Sequence, residues 1–124
     1  MKEKYFKEAE EEYARRIKKF ISFSIEEIEE NAIIKYLEKC NYKILLNEKG
    51  NEMGSIKFSS FLNKLLIERK SICFFIGDWR GLDIPADFIL SISKMTFPYQ
   101  LCRIIFLEQI YRAITIAKGI NYHK

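Results

Sequence analysis

The chain has 124 residues, enough for one domain with a real core and too few for two. Its 48% hydrophobic, 31% charged and 15% aromatic content excludes intrinsic disorder. The net charge of +4 is compatible with a polyanionic partner but falls short of the dense Lys/Arg face of an autonomous nucleic-acid binder, and no DNA-binding motif is present.

Residues 3–16, EKYFKEAEEEYARR, place Tyr5, Phe6, Ala9 and Tyr13 at helical spacing, which predicts an amphipathic helix. IKKFISF, residues 17–23, is β-branched and aromatic; it reads as a strand, with a prolonged helix as the alternative. Ser24 then opens S-I-E-E, a capping-box pattern with Glu27, and Phe23 and Ile28 are spaced as a hydrophobic staple. A second helix is therefore expected from about Ile25 to Lys39.

YKILL, residues 42–46, predicts a strand, and the Gly- and Asn-rich NEKGNEMGS a loop. A helix follows in IKFSSFLNKLLIER, with Phe58, Phe61, Leu62, Leu65 and Leu66 as its apolar face. Ile72 to Ile76 are continuously apolar, as in a strand covered on both faces, and end at Gly77. DFILSIS, after GDWRGLDIPA, predicts another strand. Strands alternating with helices imply a mostly parallel α/β sheet that binds ligands at its strand carboxyl ends.

The last helix carries two apolar faces: Phe106, Ile110, Ala113, Ile114 and Ala117 on one, Leu101, Ile104, Ile105 and Tyr111 on the other. A sheet covers one face only, so the second is expected to meet another subunit, unless the helix is central to a monomer. Glu108 and Arg112 form an i, i+4 pair on this helix. Pro98 suits its first turn, where a missing N–H costs nothing.

Cys40, Cys73 and Cys102 are odd in number and far apart, and His123 is the sole imidazole. Neither a disulfide framework nor a metal site is expected, and a reducing cytoplasm fits. The charged N-terminus lacks an apolar signal region, and Arg103, Glu108 and Arg112 interrupt the most hydrophobic stretch, so no membrane association is expected.

SISKMTFPYQLCRIIFLEQIYRAITIAKGINYHK resembles the C-terminal signature of the bacterial ribosomal large-subunit pseudouridine N3-methyltransferases, of the SPOUT class. EKYFKEAEEEYARR, LNEKGNEMGS and FFIGDWRGL extend the resemblance over nearly the whole chain, as a single domain of residues 1–124. It implies a SPOUT-type α/β fold, a mostly parallel sheet with helices on both faces and a C-terminal trefoil knot. It also implies a homodimer that transfers a methyl group from S-adenosylmethionine to a pseudouridine of 23S rRNA in the ribosome. Carried to matching positions, the family's cofactor contacts fall at Leu46, at Gly77 and along Ile92, Ser93, Lys94, Met95, Thr96 and Phe97. Leu46 and Ile92 would flank the adenine, and the backbone of the loop after Ile92 would hydrogen-bond it. Tyr122 and His123 match a terminal Tyr-His pair on the substrate side. Loss of the N3 proton makes His123 a candidate base, the alternative being a loose chain end. Arg103 is a candidate partner for an RNA phosphate or a carboxylate of the other subunit.

This sequence departs from the family pattern in several places. The family's first apolar strand and Gly-Lys turn have no counterpart before MKEKYF. Asp78 and Trp79 follow Gly77 where a second glycine is common, Tyr99 replaces a histidine, and the segment from Leu82 to Ile92 is shorter. A dimeric homologue without catalysis is the competing expectation. A small RNA-binding module is the third, disfavoured by the absence of a basic, aromatic stripe.

Overall fold

The computed structural model describes residues 4–68, 71–78 and 81–124; Glu3 and Arg69, expected at helix ends, and Trp79, expected beside the cofactor, lie outside them. In chain order the elements are α1 (Lys4–Lys18), a 3-10 turn (Glu30–Ala32), α2 (Ile33–Lys39), β1 (Tyr42–Glu52), α3 (Ser55–Ile67), β2 (Ile72–Phe75), β3 (Phe88–Ser91) and α4 (Tyr99–Lys118). The three strands form one parallel sheet in the order β2-β1-β3. The expected mixed α/β architecture is therefore present.

Alternation along β1 separates the two faces of the sheet. Ile44 is fully buried on one side, in a core with Ile17, Phe58, Leu62, Leu90, Phe106 and Ile110. Leu45 points the other way, into a smaller cluster with Cys40 and Phe75 that Ile33, Tyr36, Leu37 and Leu82 complete. Helices α1, α3 and α4 thus pack over one face, and α2 with residues 82–86 over the other. Each fully buried isoleucine contributes about 1.5–3 kcal/mol by removal from water. Ser59 lets α3 approach α4 closely, and its hydroxyl donates to the Ala113 carbonyl at 2.6 Å. Among the described residues no helix is long and apolar enough to cross a membrane.

The segment between α1 and α2 departs from expectation. Residues 17–23 are not a strand: α1 runs to Lys18, and the N–H groups of Phe20 and Ile21 both donate to the Ile17 carbonyl, closing the helix end. Phe20, Ile21 and Phe23 bury their side chains against the main core without a strand neighbour. β-Propensity expresses packing on a sheet, and without an adjacent strand it is not realised. Ser24 caps nothing, and the second helix begins at Ile33 rather than Ile25. Residues 24–27 are exposed, and Tyr36 donates its hydroxyl to Glu26 at 2.9 Å, tying the irregular segment to α2.

Helix α1 is rotated relative to the face its aromatics suggest. Glu10, Ala14 and Ile17 are buried, whereas Tyr5 is 65% exposed. Burial of Glu10 is compensated by Arg103 of α4. α1 thereby covers part of the second apolar face of α4, including Tyr111, which lies against Arg16. Leu101 remains exposed, as does Ala117 on the first face.

The cysteines also depart from expectation. Cys40, at the end of α2, and Cys73, in β2, are joined by a disulfide with a Cα–Cα separation of 5.9 Å. That spacing suits a disulfide. Parallel pairing of β1 with β2, which sets Tyr42 opposite Ile72, brings together cysteines 33 residues apart in sequence. Cys102 is a free thiol, and burial pushes its pKa up, so it stays protonated and unreactive.

Candidate functional site

Parallel pairing brings three of the expected binding positions to the carboxyl end of the sheet. Leu45 is opposite Phe75 and Leu46 opposite Leu90, so Gly77 lies two residues beyond the last paired residue of β2, and Ile92 two beyond the partner of Leu46 and next to Ser91, the last paired residue of β3. Leu46 and Ile92 are half-buried against the main core. After Leu46 the chain makes a four-residue excursion and returns at Asn51, which is again opposite Leu90. Asn47 stabilises the excursion by accepting the Lys49 N–H at 2.8 Å through Oδ1. Gly50 ends it, because a Cβ there would lie 2.7 Å from the Ile89 carbonyl oxygen.

The loop after β3 folds against that excursion. Thr96 donates its hydroxyl to Glu48 at 2.8 Å, Ser93 Oγ accepts the Met95 N–H at 3.0 Å, and Ser91 donates to the Ser93 carbonyl at 2.9 Å. Among the described residues, no backbone–backbone hydrogen bond outside helices and strands involves residues 93–97. Lys94, Met95 and Thr96 are exposed. The Met95 N–H and the Ser93 carbonyl are taken up by serine side chains, and the other main-chain groups of the loop lie beside two apolar side chains. That arrangement fits a planar heterocycle with polar atoms on one edge, such as adenine.

Gly77 is required for a different reason from open access to a ligand. A Cβ there would meet Leu82 Cβ at 2.8 Å and the Gly81 carbonyl carbon at 2.9 Å. The returning chain is set by a turn in which the Gly81 N–H donates to the Asp78 carbonyl at 2.8 Å, with Gly81 at φ 81°. The main chain that Gly77 admits is thus its own.

A second cluster forms at the chain terminus. Helix α4 ends at Gly119, whose left-handed φ of 70° is the conformation glycine adopts without strain. The Ile120 N–H donates to Thr115 and the Tyr122 N–H to Ile120, so the chain doubles back along α4. Tyr122 packs edge-on against Tyr111 at 4.9 Å and donates its hydroxyl to Glu108 at 2.8 Å. Burial, then the Glu108 hydrogen bond, push its pKa up to about 12. Arg112 grips Glu108 through Nε at 3.4 Å and Nη2 at 2.6 Å, stacks over the Tyr122 ring at 5.0 Å, and places Nη1 2.9 Å from His123 Nδ1. The Glu108 hydrogen bond raises the Arg112 pKa further, so its charge is permanent. Tyr122 and His123 are anchored, not frayed.

Arg103 is separate from this cluster. Its Nε donates to Glu10 Oε2 at 2.9 Å, its Nη2 lies 2.9 Å from the same oxygen, and its side chain is 13% exposed. Arg103, a candidate partner for an RNA phosphate or a carboxylate of another subunit, is held here by a carboxylate of its own chain. Sequence patterning missed Glu10 because it treated every glutamate of α1 as solvated. It missed Glu48 because a loop carboxylate has no sequence signal until the facing Thr96 is located.

The SPOUT methyltransferase family model matches residues 1–123. A ribosomal RNA large subunit methyltransferase H of Clostridium kluyveri is 40% identical over 149 aligned positions, covering 100% of this chain and 94% of the relative. Its namesake from Caldicellulosiruptor saccharolyticus is 36% identical over 145 positions, with the same coverage of each chain. A protein of Methanococcus maripaludis named as a putative member is 38% identical over 149, again covering 100% and 94%. Because this chain has 124 residues, at least 25 positions of the 149-position alignments face gaps in it. The chain belongs to the SPOUT methyltransferase family.

Proposed function

We propose that this chain is an S-adenosylmethionine-dependent methyltransferase that modifies N3 of a pseudouridine in 23S rRNA on the assembled ribosome, acting in the cytoplasm as a homodimer. Family membership and the names of the relatives support an rRNA substrate. The observation that carries the cofactor assignment is the convergence of Leu46 and the 92–97 loop at one end of the parallel sheet, tied by Thr96 and Glu48. We place the adenine between Leu46 and Ile92, with the main chain of Ser93, Lys94, Met95, Thr96 and Phe97 along its polar edge. Gly77 borders the same rim. In this reading residues 1–124 are one domain, and the segment after β3 is threaded as the knot of the family.

S-adenosylmethionine supplies a methyl group made electrophilic by its sulfonium. The protein holds the nucleobase in line with it, a positioning effect in which small displacements are costly. Tyr122 and His123 contact the nucleotide. Arg103, held by Glu10, fixes α1 against α4 and so supports the face behind them.

A distance along α4 supports the dimer. Glu108 and Arg112 lie 9 and 13 residues beyond the first residue of α4, roughly 14–20 Å along the helix at about 1.5 Å per residue. The cofactor loop enters at the start of that helix, and the Tyr-His end is braced near its middle. One chain holds the two halves apart; a second copy supplies the missing half.

The test is to incubate the protein and S-adenosylmethionine with ribosomes lacking the modification, then map new methyl groups by mass spectrometry. A new methyl on a pseudouridine of the large-subunit RNA is expected. Absence of cofactor binding at millimolar concentration by calorimetry, with no methyl transfer, would leave a dimeric binding protein without catalysis.

A further inference from the structure

The hydrogen bond between Arg112 and His123 constrains what the imidazole can do. Arginine carries only donors and keeps its proton under all ordinary conditions. His123 Nδ1, 2.9 Å from Arg112 Nη1, must therefore accept. A neutral imidazole whose Nδ1 accepts carries its proton on Nε2. A proton added to Nδ1 would face the Arg112 N–H, donor against donor. The guanidinium cannot turn aside freely, because its Nε and Nη2 are committed to Glu108, which also accepts the Tyr122 hydroxyl.

We propose that Arg112, braced by Glu108, holds His123 as the Nε2–H tautomer, so that the terminal imidazole offers the nucleotide a hydrogen-bond donor rather than a proton acceptor. Its use rests on the methyltransferase reading above; the tautomer does not. In methyl transfer to N3, the N3–H bond breaks with its proton passing to water. The N3 electron pair forms the new bond to the methyl carbon, and the carbon–sulfur bond breaks to leave a neutral thioether. Negative charge that develops at N3 spreads to the two flanking carbonyl oxygens. An Nε2–H aimed at one of them stabilises that charge, as an oxyanion-hole donor does. Arg112 and Glu108 are positioning residues in this scheme.

Two measurements test it. His123 is the only histidine in the chain, so long-range nitrogen-15 NMR of the neutral imidazole is unambiguous. The expected spectrum shows a non-protonated, hydrogen-bonded Nδ1 and a protonated Nε2, with the Nδ1 resonance and tautomer ratio moving toward those of free histidine in Arg112→Met. Identical spectra in the two proteins, or a protonated Nδ1 in the wild type, overturn the proposal. In methyl transfer to ribosomes, H123A is expected to lose about 100-fold or more, the scale of a lost transition-state donor. H123Q, whose amide N–H occupies the place of Nε2–H but cannot take a proton, should exceed H123A by about 10-fold or more. An H123Q as inactive as H123A overturns the donor role. A wild type that fails to methylate while showing the expected NMR spectrum refutes the methyltransferase reading and leaves the tautomer standing.

Discussion

The disulfide between Cys40 and Cys73 makes a quantitative prediction. It closes a loop of 33 residues that joins α2 to β2 across β1. In the chain-entropy treatment, a loop of this length withdraws about 3.5–4 kcal/mol of freedom from the unfolded chain at room temperature. Taking roughly 2.1 cal/mol/K of unfolding entropy per residue over 124 residues, its loss should lower Tm by about 14 °C. The assay is thermal unfolding by circular dichroism, with and without a thiol reductant, on the wild type and Cys73→Ala. Reductant should lower the wild-type Tm by about that amount and leave Cys73→Ala unmoved, because Cys40 and Cys102 are then unpaired. Alkylation and mass spectrometry of the untreated protein should label one cysteine of three. Three labelled cysteines under air oxidation, or equal melting with and without reductant, would refute the linkage and return the cysteines to the unpaired state their spacing suggests.

Glu10→Ala should destabilise the fold by about 3–5 kcal/mol in urea titrations, since it strands the largely buried Arg103 charge. Tyr122, held neutral by burial and Glu108 with its pKa pushed up to about 12, contributes stability that is fully present below pH 10, the ordinary tyrosine value. That contribution is lost as pH rises from about 10 through 12; ultraviolet titration should show its last-ionising tyrosine disappear in Tyr122→Phe, while Tyr36 and Tyr42, also raised, remain. Gly50→Ala should cost about 1–3 kcal/mol, because its Cβ meets the main chain of Ile89, which cannot move aside as a flexible side chain would. Mixing His123→Ala with Leu46→Arg, each inactive alone, should restore roughly a quarter of wild-type methyl transfer if every site is built from two chains, as random two-fold pairing leaves one intact site in half the dimers.

What was legible in the sequence is what local pattern controls. β1, β2 and β3 each contain a short apolar run, and α3 and α4 repeat hydrophobic residues at helical spacing; all five fall where expected, apart from their ends. Residues 17–32 are the converse case. Their composition favours strand then helix, yet a strand requires a neighbour and a capping box requires an apolar face behind it. Glu26, Glu27, Glu29 and Glu30 supply no such face, and all are exposed. At the candidate site, Leu46 and the 92–97 loop were named from resemblance, and the parallel register explains why they meet. The Cys40–Cys73 and Glu10–Arg103 pairs were not legible, because each depends on the docking of elements distant in sequence.

Helix α4 connects these observations. Its 20 residues span about 30 Å, with the loop of residues 92–97, the proposed cofactor loop, at one end and the reversed terminus braced between Glu108 and Arg112. A nucleobase must touch both the methyl donor and the groups that orient it, within a few ångströms. Two-fold packing of α4 against its own copy in antiparallel sense would bring the beginning of one helix alongside the middle of the other, closing the gap without bending either. Leu101, exposed near the beginning of α4, and the half-buried Ile104 and Ile105 offer the apolar surface for that contact where α1 does not fully cover it. On the proposed reading, a helix apolar on more sides than its own domain can cover would follow from the chemistry, each half of the site requiring the other copy.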